Sequence, residues 1–331
     1  MRGATKRLAR IFVTYSIKIL SLLLAVSVIS FVLVTASPVD PVQQYIMGIG
    51  TAVSSEQRAE IEEYWGVNEP PTERFFSWLN ELLHGNLGES AMFRRSVADV
   101  IGERFVNSLA LMLCAWLLAG LIGFALGCVM GMYRNRWPDK ILKKVCYILS
   151  SVPTFWLGLL FLLIFGVWLK WFPIGFSSPI GVLSADVTFW QKLYHMVLPA
   201  FTLSLMSFAN IALHTRQKLV DVLNSEYVLF AKARGESPRT ILHRHGLRNI
   251  LFPALTLQFA SFAELFGGSV MAENVFSYPG LGSAVSAAGL RGDVPLLLGI
   301  TLFSALFVCV GNMIANLLYG VIDPQVKEVG E

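Results

Sequence analysis

The sequence predicts an all-α, polytopic membrane protein with six transmembrane helices and both termini in the cytoplasm. Three observations carry that expectation. The 331 residues are 55% hydrophobic and only 15% charged, against about 25% charged in soluble domains. The apolar residues fall in long runs separated by short charged stretches, as in a chain whose solvent is lipid. The charges between the runs fit one topology under the positive-inside rule. A formal charge of +4 invites nucleic acid as a partner. The distribution argues against it, because the basic residues cluster between apolar runs as orientation signals do.

Residues 1–34 read as a cytoplasmic N-terminus and first span, the apolar run covering 11–34. Arg2, Lys6, Arg7 and Arg10 precede it with no acid among the first ten residues. A cleaved signal peptide competes, since Thr35-Ala36-Ser37 is a small-residue stretch. The run exceeds the roughly 7–15 residues of a signal core, which favours an uncleaved span. Lys18 can snorkel toward the inner side. Residues 35–104 carry eleven acids against five bases and read as an external loop. Helices are expected over 54–64 and 72–83, separated by Pro70-Pro71.

Residues 105–321 read as a five-span core. The second span is 106–133 and the third 141–171. Between them Arg134, Arg136, Lys140, Lys143 and Lys144 face one acid, Asp139, so that turn is inside. Residues 172–194 are nearly neutral and outside, and the fourth span is 194–213. The segment 214–249 carries seven bases against three acids and returns inside. Spans five and six cover 250–272 and 294–321, leaving a cytoplasmic tail at 322–331.

The loop 214–249 is the most informative stretch. Asn224-Ser225-Glu226 offers capping groups, and Tyr227 to Arg234 is a good helix former with small Ala231 and Ala233. Gly235 ends it as the residue that tolerates a left-handed cap. Ser237 is an N-cap candidate and Pro238 suits the first helical position. A second helix over 240–249 leads into the fifth span, with Pro253 just inside. Two short helices around one glycine make a rigid object, and the alanines permit close approach of another protein. The plainer reading is a surface loop bearing orientation charges, and pattern alone leaves both open.

Tyr227-Val228-x-x-Ala231-Lys232-Ala233-Arg234-Gly235, then His245-x-x-Arg248-Asn249 and Pro253, closely resembles the cytoplasmic loop of ABC importer permeases. The likeness is to the dipeptide/oligopeptide/nickel family. ABC importers generally carry EAA-x3-G ending in a proline. Here Leu229-Phe230-Ala231 stands for EAA and Arg248 for the proline, departures shared by the peptide-type branch. The resemblance covers nearly the whole chain. Ser37-Pro38-Val39-Asp40-Pro41 resembles P-G-D-P, and Gly85-Asn86-Leu87-Gly88-Glu89-Ser90 resembles G-D-L-G-x-S. Ser151-Val152-Pro153-Thr154-Phe155 matches S-x-P-x-F in the third span. Glu273-Asn274-Val275-Phe276 through Pro279-Gly280-Leu281-Gly282 matches E-x-V-F-x-x-P-G-x-G, Asp293-x-Pro295 matches D-x-P, and Asp323-Pro324 closes the last span.

The resemblance implies a bacterial or archaeal cytoplasmic membrane and four partners: a second homologous permease subunit, two ABC ATPase subunits and an external substrate-binding protein. The helix at Tyr227 would dock in a cleft on one ATPase. Tyr227, Ala231, Ala233, Gly235, Glu236, His245, Arg248 and Asn249 would form the ATPase-coupling loop. Its movement would tilt the spans and switch access from outside to inside, coupling by a two-state element. The outer segments 35–104 and 273–293 would receive the binding protein. The chain has no G-x-x-x-x-G-K-[ST], so ATP and Mg are expected on the partner ATPases, with no cofactor and no enzyme activity in this chain. Cargo within the family includes di- and oligopeptides, nickel and other metal chelates. Peptide is the favoured reading, nickel or a chelate the alternative.

Glu264 is the acid well inside a span, and an ionisable residue at that depth is a functional candidate. A cargo contact and a pairing with a neighbouring subunit both stay open. Asn210 and Gln258 are further candidates for the translocation path. With Asn312 and Asn316 they also suit interhelical hydrogen bonding. No metal site is expected. His243 and His245 do not share a helix face, and His195 and His214 sit near opposite ends of one span. Cys114, Cys128, Cys146 and Cys309 lie in apolar runs without CxxC spacing and read as packing residues. A secondary transporter is the rival of a different class, but one intramembrane acid supports it thinly. No membrane-enzyme motif and no channel filter is present.

Overall fold

The computed structural model describes residues 2–36, 42–43, 46, 54–64, 69–182 and 186–322, which fall into two compact units. The motifs at Ser37–Pro41 and Asp323-Pro324, and the tail beyond Ile322, lie outside the described residues. The chain is helical almost throughout, in keeping with the predicted class. Among the described residues four helices are long and apolar enough to cross a membrane, or up to six if each of two bent pairs is one span.

The first unit comprises residues 1–107 and 280–310. It holds α1 (Arg2–Thr35), α2 (Ser55–Tyr64), α3 (Pro71–Leu83) and a small hairpin of β1 (Glu89–Ser90) and β2 (Arg95–Ser96). α2 and α3 match the two helices expected in the acidic segment. Pro71 occupies the first turn of α3, where a missing N–H costs nothing. Phe75 and Trp78 of α3 pack on Phe31 of α1 at ring separations of 5.2 and 6.1 Å. The hairpin, unforeseen in an all-α reading, hangs on one buried carboxylate. Asp293 accepts from Ser90 Oγ at 2.6 Å and Met92 N–H at 2.9 Å. Its other oxygen accepts from Leu296 N–H at 3.3 Å, capping the last long helix. The segment 281–291, read only as part of an outer loop, is a helix, α11 (Leu281–Arg291), closed by left-handed Gly292.

The second unit comprises residues 108–279 and 311–331. The second span is the C-terminal part of α4 (Val97–Met132), a helix that starts nine residues before the expected span. The expected third span, 141–171, needs correction. It is two helices, α5 (Trp137–Ser151) and α6 (Thr154–Phe161), the latter continuing as a π-helical stretch over Leu162–Trp168. The two halves meet at 109°. The Ser151-Val152-Pro153 motif is the break. Val152 is forced extended (φ −93°, ψ 132°) by the proline after it, and Pro153 caps the next helix.

The fourth span is also longer than expected. α7 (Phe189–Leu223) runs 35 residues, about 52 Å at 1.5 Å per residue. The first ten residues of the expected loop 214–249 are therefore helix. The fifth span is α10 (Leu247–Val275), bent by 56° between Phe262 and Glu264. α12 (Val294–Ile322) covers the expected sixth.

α4 lies against α7 along Gly123, Gly127 and Gly131, which meet Ile211, Thr215 and Leu219 in the same order, so the two helices run parallel. A Cβ at Gly127 would fall 2.5 Å from Thr215 Cβ and 2.7 Å from Ala212 O. This is the small-residue packing that membrane helices use where lipid gives no hydrophobic drive. Around the ridge, Ala119, Met130, Cys146, Leu157, Phe208 and Ala209 form a continuous core. Cys146 is among those packing residues, and the four cysteines are free thiols.

Gly127→Val should destabilise the folded protein by about 1–3 kcal/mol, the usual cost of overpacking. Gly102→Val, where nothing lies within 4 Å of the new Cβ, should cost less. Thermal unfolding of the detergent-purified variants checks this, and equal midpoints would remove the ridge from the account.

Candidate functional site

α7 ends at Leu223, and after a turn at Asn224 the chain forms α8 (Glu226–Ala233). The C-terminus of α8 is a Schellman motif. Gly235 N–H donates to Lys232 O at 2.9 Å and Glu236 N–H to Ala231 O at 3.2 Å. Gly235 has φ +83°, the left-handed region its place in the sequence called for. Ser237 Oγ accepts from Thr240 N–H at 3.3 Å, and Pro238 opens α9 (Pro238–Ile241). A π-helical turn over Leu242–Gly246 then leads into α10. The hinge thus consists of local turn chemistry, which is why the sequence could specify it.

The two arms are joined through side chains far apart in sequence. His245 Nε2 lies 3.3 Å from Glu236 Oε2. Asn249 Nδ2 donates to Tyr227 OH at 3.1 Å and to His245 O at 2.8 Å. The Tyr227 and His245 rings stand 6.1 Å apart. Val228, Ala231 and Ile241 form a small core between the arms. Ala231 is therefore a correction: it is buried inside the pair and does not face outward as an approach surface. Ala233, Gly235, Arg248 and Asn249 are exposed.

Sequence reasoning passed over Leu229 and Phe230 as mere departures from a motif. They are 55% and 67% exposed, beside Tyr227 at 47%. The signal was present in the spacing. Val228 and Ala231 point inward three apart, so the two residues between them point outward.

A second missed feature anchors the pair. Arg216 on α7 makes a bidentate contact with Asp139 in the first turn of α5, Nε to Oδ1 at 2.5 Å and Nη2 to Oδ2 at 2.7 Å. Asp139 also accepts from Asn135 N–H at 2.8 Å, and its side chain is 1% accessible. Read as charges, these two residues were a lone acid in a basic turn and one more orientation signal.

The candidate path residues separate. Glu264 and Asn210 are exposed on their own chain. Gln258 is 5% exposed and tied to α4. Its Nε2 donates to Trp116 O at 2.5 Å, while Trp116 Nε1 donates to Gln258 O at 2.6 Å. That reciprocal bond makes it an interhelical tie. Asn312 is exposed, and the side chain of Asn316 lies outside the described residues. At the far end of α10, Glu273 is buried and accepts from Ser108 Oγ at 2.7 Å. Burial, with Glu273 and Cys114 adding to it, pushes the nearby Tyr278 hydroxyl up to about 12, so that end carries no tyrosinate at neutral pH. His243 is exposed, and among the described residues no three metal-ligating side chains converge.

Membrane-length helices held by a glycine ridge and polar ties, carrying an exposed helix pair, define a polytopic membrane protein. The profile of the family described as "Binding-protein-dependent transport system inner membrane component" matches residues 123–328. The companion N-terminal profile, "Binding-prot-dependent transport system membrane comp, N-term", matches 8–113. The chain belongs to this family, the peptide-type ABC importer permeases. It is 32% identical over 307 residues to the oligopeptide transport system permease protein AppB of Bacillus subtilis strain 168, covering 92% of this chain and 95% of that one. It is 33% identical over 306 residues to the glutathione transport system permease protein GsiC of Escherichia coli K12, covering 92% and 94%.

Gly235→Ala should cost roughly 1–2 kcal/mol from left-handed strain, and Gly235→Asn less. Nothing lies within 4 Å of a Cβ there, so a larger loss for Asn than for Ala would contradict a purely conformational role. Asp139→Ala should cost about 3–5 kcal/mol by stranding Arg216. The Asp139→Ala/Arg216→Met double variant should recover part of that loss in the same unfolding measurement; no recovery would show that the pair is not a coupled unit.

Proposed function

We propose that this chain is one of two membrane halves of a heteromeric ABC importer for di- or oligopeptides. It would cross a bacterial or archaeal cytoplasmic membrane six times, each bent pair counted as one span, with both termini inside. The parts are a tail-and-span segment at 1–34, an outer segment at 35–104, a five-span core at 105–321 and a tail at 322–331. The observation that carries this reading is the 224–249 helix pair. It is stiffened by a Schellman turn and the Tyr227–His245–Asn249–Glu236 cluster, yet it leaves Leu229 and Phe230 in the open. A rigid pair with an apolar outward face suits docking to a partner and transmits displacement rather than absorbing it.

In this mechanism the α8 face seats on one of two ATPase subunits, which bind the ATP and Mg. Its displacement passes directly into α7 and α10, the helices it joins. Access then alternates by tilting of these helices against the second permease half, and an external binding protein delivers the cargo. Peptide cargo is favoured by the names of the relatives, one for oligopeptides and one for glutathione, itself a small peptide.

Deleting the gene should abolish energy-dependent uptake of a labelled dipeptide, with labelled glutathione and nickel ion measured alongside. Loss for nickel alone would move the reading to metal import. Uptake of any of the three by the purified chain alone in liposomes would point to a secondary transporter instead.

A further inference from the structure

We infer that Glu264 is the residue of this subunit that reads a positive charge on the cargo, the free ammonium terminus of a peptide. The inference rests on the transport function proposed above. Glu264 lies eleven residues before the end of α10 at Val275, about 17 Å at 1.5 Å per residue, so in the six-span arrangement proposed above it sits deep in a hydrocarbon layer about 30 Å thick. A carboxylate facing lipid there costs about 2.5–3.5 kcal/mol even on lenient scales. It therefore needs a cation or water. The described residues of its own chain supply no cation: Glu264 is exposed and makes no ion pair or side-chain hydrogen bond with them.

The surroundings decide the kind of cation. Gly268, one turn along α10, packs against Met206 of α7. The two helices are antiparallel, since α7 and α10 leave from the ends of one short helix pair. Glu264 lies one turn back from Gly268 on α10, and Asn210 one turn on from Met206 on α7, so both fall on the two helices that meet at that contact. Both are exposed, as are Met206 at 38%, Met271 at 52% and Gly267. The 56° bend between Phe262 and Glu264 re-aims this segment of α10 relative to the half bearing Gln258.

A single carboxylate with exposed amide and thioether side chains on the same two helices makes poor metal chemistry. No set of three ligating His, Cys, Asp or Glu residues exists among the described residues, and Met sulfur is soft. The same set suits an ammonium group attached to variable side chains. The carboxylate and amide take the constant charged end, and methionine adapts to whatever follows.

The test uses the full complex with its partner subunits in liposomes, with excess binding protein, and two labelled probes, trialanine and N-acetyl-trialanine. Glu264→Gln should lower trialanine uptake about tenfold, the effect of one charge-assisted contact. Acetylated uptake should stay unchanged, the complex should still co-purify, and Glu264→Asp should restore most of the trialanine rate. An equal fall for both probes, or no fall for either, overturns the inference. So does loss of the partner permease on purification, which would mean that Glu264 pairs with that subunit. A wild-type complex that imports neither probe fails at the earlier step and sinks the peptide reading itself.

Discussion

Helix α7 can lie directly on α4 because Gly123, Gly127 and Gly131 present it with backbone and no side chain, and α7 is also the helix that α5, α6 and α10 of the larger unit pack against. In lipid the apolar effect does not push helices together, so close backbone approach and hydrogen bonds must hold them. α7 collects most of these. It meets α4 through glycine, α5 through Arg216 and Asp139, and α10 through Met206 on Gly268. It then continues without a break to Leu223, two residues before the N-cap of α8. A displacement of the helix pair is therefore a displacement of the helix on which the unit is built.

The short motifs that mark the family are sites where the helical pattern stops and polar groups need partners. Ser151-Val152-Pro153 breaks one hydrophobic run into two helices at 109°. Asp293 holds a hairpin and caps a helix with the two oxygens of one carboxylate. Glu273 is buried against Ser108 at the end of α10. An unpaired buried carboxylate is costly, and a paired one fixes geometry. Removing Asp293 would free the start of α12, and a helix end is the one place where a membrane helix has backbone groups to satisfy.

The helix pair after α7 divides its labour by face. Val228, Ala231 and Ile241 face inward and make it stiff, Tyr227 ties the arms through Asn249, and Leu229 and Phe230 face out. Stiffness and an open apolar face on one object are what a mechanical link needs, since a compliant one would absorb the motion it should carry. Asn210 and Glu264 lie on the same two helices that the pair joins, so a movement of the pair reaches both helices.

Local chemistry was legible in the sequence. The apolar runs, α2 and α3, the left-handed Gly235, the Ser237 cap and Pro238 all follow from propensities and caps set within a few residues. What stayed hidden needed partners distant in the chain. Asp139 waits on Arg216, 77 residues away, and Gln258 on Trp116, 142 away. Hydropathy gave the third and fourth spans as simple runs because it averages over a window: it cannot see that Pro153 turns the chain, or that α7 continues through polar residues whose other face is buried. The sequence by itself determined that this is a multi-span protein, that the chain turns at Gly235 and which family it belongs to, since those rest on composition, local capping and short motifs. Only the tertiary structure decided that Ala231 and Gln258 turn inward while Glu264, Asn210, Leu229 and Phe230 remain outside. Which face of a helix is buried depends on the helix packed against it, and that neighbour is chosen across the whole chain.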